Sequence, residues 1–314
     1  MKTGATSSAE PTPCVATIGF FDGVHLGHRY LIRQTQEVAV RRGVPAMVVT
    51  FATHPRQVMQ PDYRPCLLTT CQEKEALLQK AGADRCLMLE FTPQLARLTA
   101  REFMTLLHSR YGVEALVIGY DHRFGHGRSE GFDDYVRYGR ELGMEVCLAR
   151  AYCLADGTEV SSSRVRRLLQ AGEVEEAACE LGYRYFLSGT VVGGHRVGRT
   201  LGYPTANLQP DDPCKLVPAV GVYAVRVEWE GVPRAGMLSI GHRPTVDNGT
   251  ERSIEVHIFD FEGDLYGRRL TLTFLSRLRE EQKFASLDEL AAQLRLDEEA
   301  ARACYASTFH LTTD

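Results

Sequence analysis

No apolar run in this 314-residue chain approaches the ~18 residues needed to span a bilayer, so a membrane role is not expected. Neither sign of charge dominates. Lysine and arginine number 36, aspartate and glutamate 40, and the formal net charge is −4. The global basic footprint of a nucleic-acid binder is therefore missing. The nine cysteines form no CxxC pair and are odd in number. That argues against a disulfide framework and against a cysteine-ligated zinc site. They read as small, mostly buried apolar residues of a reduced, cytoplasmic enzyme. The chain has no long internal repeat, no low-complexity segment and no GxxxxGK[ST] phosphate loop. Residues 1–13 lack the apolar stretch of a secretory leader and are expected to form a disordered tail.

What is present is a hydrophobic content of 44%, ample for two cores at about 150 residues per domain. In the first half, short apolar runs (Val15–Gly19, Ala46–Phe51, Cys86–Phe91, Ala115–Gly119, Glu145–Ala149) alternate with helical patterns. Two of those helices open with capping boxes, Thr70/Glu73 and Thr99/Glu102. Such alternation predicts βαβ units, hence a parallel sheet covered by helices. Beyond residue 183 the pattern changes to short strands at hairpin-like spacing, with turn signals at Glu230-Gly231 and Glu262-Gly263. This predicts a small antiparallel barrel, followed by a helix opened by Ser286 and Glu289. The expected division is 14–182 and 183–314.

The sharpest local signal is Gly19-Phe-Phe-Asp-Gly-Val-His-Leu-Gly-His28, between the first strand and the first helix. Gly19 and Gly23 permit a sharp turn, with Phe20 and Asp22 between them. The helix N-terminus favours phosphate, and His25 and His28 can both donate to it. A His-x-Gly-His run in this position is the pattern of adenylyl-transferring α/β enzymes. A tight turn with two incidental histidines is the competing reading. Ser161, Ser162 and Arg166 precede an apolar helix and offer either a second phosphate clamp or an ordinary cap. His54 and Pro55 follow one strand, Asp121 and Arg123 another. In a parallel sheet, such strand-end residues face one cleft. In the second half, Gly193, Gly194 and Gly198 form a glycine-rich loop before Pro204-Thr-Ala-Asn207. The reading is divided between a plain hairpin and a nucleotide loop, with Thr205 and Asn207 as hard oxygen donors of the kind Mg²⁺ accepts. Glu255 alternates with Ile254 and Val256 on a strand and is either a solvated side chain or a general base.

These pieces occur in the order found in a known family. From about Val15 to Ala306 the chain resembles the bacterial bifunctional riboflavin kinase/FMN adenylyltransferases, also called FAD synthetases. The resemblance is carried by IGFFDGVHLGH, VVTFATHP, VIGYDHRFG, VSSSRVR, GRTLGYPTAN, IGHRPT, EVHIFDF and LREEQKF. The pairing of HxGH with PTAN, about 180 residues apart, makes it specific. The resemblance implies a Rossmann-like nucleotidyltransferase domain followed by a flavokinase β-barrel with a terminal helix. It implies that the barrel phosphorylates riboflavin to FMN, with Glu255 as general base and Thr205 and Asn207 holding Mg·ATP. The amino-terminal domain would adenylylate FMN to FAD, with His25, His28, Ser161, Ser162 and Arg166 on the ATP phosphates. Arg279 and Phe284 mark the region expected to meet the flavin in the kinase. The expected partners are small molecules only (riboflavin, FMN, FAD and ATP), with no nucleic acid or membrane, and the chain is expected to be a monomer or weak homo-oligomer. Two departures stand out: Ser239 where the family usually has Asn, and Tyr183-Arg184 where it usually has Arg-Pro. A chain with one live activity, or a flavin-binding regulator, would be told apart by incubation with riboflavin, ATP and Mg²⁺.

Overall fold

The computed structural model describes residues 11–60, 62–128, 130–193, 202–244 and 250–309. Most of the expected tail, and Gly194 and Gly198 of the glycine-rich loop, lie outside the described residues. The chain divides into two compact units, Met1–Pro65 with Thr69–Ser161, and Cys66–Leu68 with Ser162–Asp314.

The first unit runs β1 (Cys14–Ile18), α1 (Leu26–Arg42), β2 (Ala46–Phe51), α2 (Pro55–Met59), α3 (Cys71–Lys80), β3 (Arg85–Leu89) and α4 (Pro93–Ala96). It continues with α5 (Ala100–Tyr111), β4 (Val113–Ile118), α6 (Phe132–Leu142) and β5 (Glu145–Leu148). The strands are parallel, in the order β3-β2-β1-β4-β5. Central β1 and β2 are buried along their whole length, as a sheet covered on both faces requires, whereas edge strands β3 and β5 are only half-buried. One face packs Ala16, Ile18, Val49 and Leu116 against Phe103, Met104 and Leu107 of α5. The other packs Val15, Ala115 and Val117 against Val38 and Ala39 of α1. Each large side chain so buried contributes ~1.5–3 kcal/mol. Both predicted capping boxes close, and α1 and α5 end at glycines in the left-handed conformation, Gly43 and Gly112. The strand order reverses at β1, so the crevice of this sheet opens beyond the carboxyl ends of β1 and β4.

The second unit comprises α7 (Ser162–Ala171), α8 (Val174–Leu181), β6 (Phe186–Val192), β7 (Ala206–Pro210), β8 (Gly221–Trp229) and β9 (Val232–Pro244). β10 (Thr250–Ile258), β11 (Arg269–Arg279) and α9 (Leu287–Phe309) complete it. Its six strands close into an antiparallel barrel, β10-β7-β6-β11-β8-β9. Glu230 and Gly231 both have positive φ, 51° and 77°, and make the two-residue turn between β8 and β9. Glu262-Gly263 does not make a hairpin, because β10 and β11 are not neighbours in the barrel. β7 itself was not expected as a strand. Its short ANLQP run carries too little periodicity and is held by pairing with β6 and β10. The helices α7 and α8 pack with the barrel: Val165, Leu169, Val174, Ala177 and Leu181 share a core with Leu187, Leu216 and Tyr223.

Candidate functional sites

The loop after β1 is held by its own hydrogen bonds. Phe21 and Val24 adopt positive φ (54° and 40°), as does Gly23 (81°). Such conformations cost non-glycine residues ~1–3 kcal/mol and persist only where the surroundings enforce them. Here the enforcing group is Asp22, 2% exposed. Its Oδ1 accepts from the Thr69 amide at 3.1 Å and from the Thr69 hydroxyl at 3.2 Å, and Thr69 Oγ1 accepts from the Gly23 amide at 3.1 Å. Asp22, expected on ATP, shapes the loop through its Oδ1.

His25 is the N-cap of α1, and its Nδ1 accepts from the His28 amide at 3.4 Å. The ring proton of a neutral His25 is therefore on Nε2, which makes that edge a donor. The His25 and His28 rings stack at 3.7 Å, inclined by 19°. Space at Gly27 between them is tight. A Cβ there would stand 3.2 Å from the His25 ring and 3.2 Å from the Val160 carbonyl. Val160 runs against this first turn, and Ser161 comes directly after it. No acidic residue sits in the first turn of α1, so its amide dipoles stay uncompensated and suit an anion.

Beside this loop lies a small apolar cavity of about 90 Å³ lined by Ile18, Phe51, Pro55, Phe91, Phe124 and Arg123, among others. It sits at strand ends, and Phe51 and Phe91 meet edge to face at 5.3 Å. Pro55 and Arg123 were expected here; the phenylalanines were not, being far apart in the sequence. His54 caps α2, its Nδ1 accepting from the Arg56 amide at 3.1 Å, and its ring meets Phe20 at 4.7 Å. Asp121 is exposed. Next to it, the Tyr120 hydroxyl donates to Glu159 at 2.7 Å; that bond, with burial, pushes the phenol up to about 12.

Ser162 and Arg166 belong to α7 and hence to the second unit. There the Arg166 Nε donates to the Cys66 carbonyl at 2.8 Å, and Arg164 pairs with buried Glu180.

On the barrel, register assembles a row of side chains. Ile254, Val256 and Ile258 point into the core, so Glu255 and His257 face outward, as the alternation predicts. Asn207 of β7 and Ser239 of β9 lie opposite Glu255 on its two sides. Asn207 is 7% exposed. Thr205, just before β7, donates from Oγ1 to Glu255 Oε2 at 3.3 Å. The turn that carries Thr205 is fixed to β10, since the Pro204 carbonyl bonds the His257 ring at 2.8 Å and Tyr203 meets that ring at 5.1 Å. Two clefts adjoin it, about 680 Å³ beside Thr205, Ala206 and Tyr266, and about 750 Å³ beside Tyr203, His257 and Arg295. Both volumes are in the range of small-molecule sites. Gly193 lies just past the end of β6, and a Cβ there would meet no atom of the described residues within 4 Å.

Thr205 and Asn207 supply neutral hard oxygens beside a carboxylate, a set that fits a divalent cation already carrying phosphate ligands. Among the described residues no group of three or more His, Cys, Asp or Glu could hold a metal alone. Arg279, expected at the flavin, makes a forked contact with buried Asp297 of α9 at 2.8–3.0 Å and lies 5.6 Å from the Phe284 ring. That ties β11 to α9.

The family model for FAD synthetase matches residues 7–164, and that for riboflavin kinase matches 181–305. A bifunctional riboflavin kinase/FMN adenylyltransferase from Pseudomonas fluorescens is 42% identical over 95% of this chain and 94% of its own. One from Escherichia coli K12 is 40% identical over 96% of each. A solved structure titled as a macrolide-efflux protein from Streptococcus pneumoniae superimposes with a TM-score of 0.86 at 35% identity, covering 94% of this chain and 95% of that one. Among the described residues of this chain, no helix is long and apolar enough to cross a membrane.

Proposed function

The chain belongs to the family of bifunctional riboflavin kinases/FMN adenylyltransferases, and we propose which of its residues carry each reaction. It is a transferase with two activities, converting riboflavin to FMN and FMN to FAD, with ATP as co-substrate of both.

The kinase reaction runs on the outer face of the barrel. Glu255 accepts the proton of the ribityl 5′-hydroxyl while that oxygen attacks the γ-phosphorus of ATP, and ADP departs. Thr205, held 3.3 Å from the carboxylate, and buried Asn207 would hold the phosphates and their Mg²⁺. When bound, the cation neutralises charge on the transferring phosphoryl group. The two clefts meeting at Pro204 take one substrate each. Arg279 acts by positioning α9 and Phe284.

The adenylyl reaction runs at the end of β1. An FMN phosphate oxygen attacks the α-phosphorus of ATP and pyrophosphate leaves. The attacking oxygen is already ionised, so no base is needed and catalysis is charge stabilisation. His25 Nε2, His28 and the first amides of α1 supply it, with Gly19, Phe20, Asp22 and Gly23 shaping the loop. Ser161, directly after Val160, adds its hydroxyl to the phosphate clamp. The flavin binds on this side of the crevice, near His54, Pro55, Asp121 and Arg123, and the aromatic cavity, at about 90 Å³, takes only an edge of its ring. The functional boundary falls at 182/183, in line with a kinase match that begins at 181. Nine free thiols suit a reducing cytoplasm, and the protein works as a monomer or weak homo-oligomer.

The observation that carries this assignment is the meeting of Thr205, Asn207 and Glu255 across β7 and β10, from sequence positions about 50 apart. Glu255→Gln tests it. Loss of a general base typically costs ~10²–10⁴ in rate. FMN formation should fall by that much while FAD still forms from supplied FMN. A Glu255→Gln chain that phosphorylates riboflavin normally would remove Glu255 from the chemistry.

A further inference from the structure

Lys74, on the first turn of α3, is 2% exposed. A buried ammonium is costly unless it is well bonded. Its partners are specific: Nζ donates to the Phe51 carbonyl at 2.7 Å and to the Phe20 carbonyl at 3.2 Å, and it stands 4.1 Å from the centre of the Phe20 ring. These two carbonyls mark where the β1–β2 ladder ends. Ile18 pairs with Val49, and the Gly19 amide still reaches the Val49 carbonyl at 3.1 Å. One step on, backbone pairing stops, although the Thr50 hydroxyl of β2 still donates to the Phe20 carbonyl at 3.0 Å. Phe20 enters the phosphate loop, and Phe51 enters the wall of the aromatic cavity. Strand carbonyls left out of a ladder would normally turn to water; here both accept from one charged donor, which the Phe20 carbonyl shares with the Thr50 hydroxyl.

We propose that Lys74 is a positioning residue for adenylyl transfer, a buried clamp that sets the spacing between the phosphate loop at Phe20 and the flavin wall at Phe51. The inference rests on the reading of this crevice as the adenylyl site. In-line attack demands a fixed separation between the acceptor phosphate and the α-phosphorus, and a misplacement of about 1 Å can cost ~10² in rate. A clamp of this kind acts on the step rather than on either substrate alone, since each half keeps its own contacts: Asp22 with Thr69 for the loop, and the phenylalanines for the flavin. Burial also pushes the Lys74 ammonium below the usual lysine range, opposed by Cys71, Asp22 and Cys86, the groups that face it.

The test is steady-state kinetics of the full chain with FMN, ATP and Mg²⁺, comparing wild type, Lys74→Met, Lys74→Gln and Lys74→Arg. Lys74→Met keeps the apolar stem and deletes every donor; Lys74→Gln keeps a neutral donor. The expected result for Lys74→Met is a kcat for FAD formation lower by about 10- to 100-fold, KM for both substrates within about threefold, and an unchanged riboflavin kinase rate. Lys74→Gln should be intermediate, and Lys74→Arg, with charge and donors kept, closer to wild type. Wild-type kcat in folded Lys74→Met and Lys74→Gln overturns the proposal, as does a loss confined to KM. If both variants lose the fold of the first unit, shown by circular dichroism, Lys74 is a stability residue and the proposal is likewise overturned. Failure of the wild type itself to make FAD would instead refute the adenylyl reading.

Discussion

The two proposed phosphate-handling sites are built by opposite routes. In the first, the strands stop and the site is built from the segments beyond their ends: the loop Gly19–His25, the cap of α1 and the rims at Phe51 and Phe124. In the second, the strands continue and the site lies on their outer face, where Ser239, Glu255 and Asn207 are neighbours by register. A strand-end site depends on bonds that fix a loop, so it needs Asp22, Thr69 and positive φ at Phe21 and Val24. A register site inherits its geometry from the ladder. A one-residue slip would turn Glu255 into the core, and the buried alternation of Ile254, Val256 and Ile258 forbids it.

The harshest way to break the comparison is to ask whether the barrel stands alone. Residues 184–314 lack α7 and α8 and hence Val165, Leu169, Val174, Ala177 and Leu181, all buried in the barrel's core. At ~1.5–3 kcal/mol for each large buried apolar side chain, their loss is comparable to the whole stability of a domain. Residues 162–314 keep them and lose only the Cys66–Leu68 segment. The longer fragment should fold and turn riboflavin into FMN, while the shorter should not stay folded. Equal melting behaviour and equal FMN yield from both fragments would show that the register site needs no support from these helices.

A smaller, sharper break is His28→Ala. Removing one donor to a developing phosphate charge costs ~10²–10³ in rate. FAD formation should fall by that factor and FMN formation should hold, read by chromatography of both flavins. Equal loss of both activities in a folded chain would mean that the sites are not separate.

The same contrast governs what could be read from sequence. The strand-end site was legible because loop and cap are contiguous: His25, Gly27 and His28 fall within four positions, and the sheet topology says where they point. Of the register site, only Thr205 and Asn207 are contiguous. Glu255 joins them through strand pairing, which alternation reveals only as a face; the family resemblance, not spacing, singled it out. Lys74 was overlooked although a signal existed. It shares the 74, 77, 78 spacing with buried Leu77 and Leu78, so a charged residue occupies a core position of α3. The aromatic cavity left no signal, since its phenylalanines look like ordinary core residues. Nor did the pairing of Arg279 with Asp297, which lies on another element.

Ser239 offers a gentler probe of the register site. It is exposed and directly across from Glu255, at a distance where cross-strand side chains touch. Ser239→Asn places an amide within reach of the carboxylate without entering the core. A net hydrogen bond contributes ~0.5–1.5 kcal/mol, so the kinase rate should stay the same or rise by at most about tenfold. A tenfold fall in FMN formation would show that the face is packed around serine and that its row tolerates less than the ladder suggests.

The least conspicuous effect belongs to the strand-end site and is a slope rather than a loss. Burial holds the folded Lys74 below the ordinary lysine value of 10.5. Between its folded value and 10.5 the unfolded chain therefore binds more protons than the folded one, and stability from this group rises with pH across that window. Below it, both states are charged and the contribution is flat. Unfolding by urea at a series of pH values up to 10.5, for wild type and Lys74→Met, isolates the slope. Most other titrations cancel in the difference; those of Cys71, Asp22 and Cys86, which face the ammonium, are the ones that can bend it. The wild type should gain on Lys74→Met as pH rises. A difference that is level, or that falls, would mean that the carbonyls of Phe20 and Phe51 and the Phe20 ring repay the ammonium fully for the water it gives up.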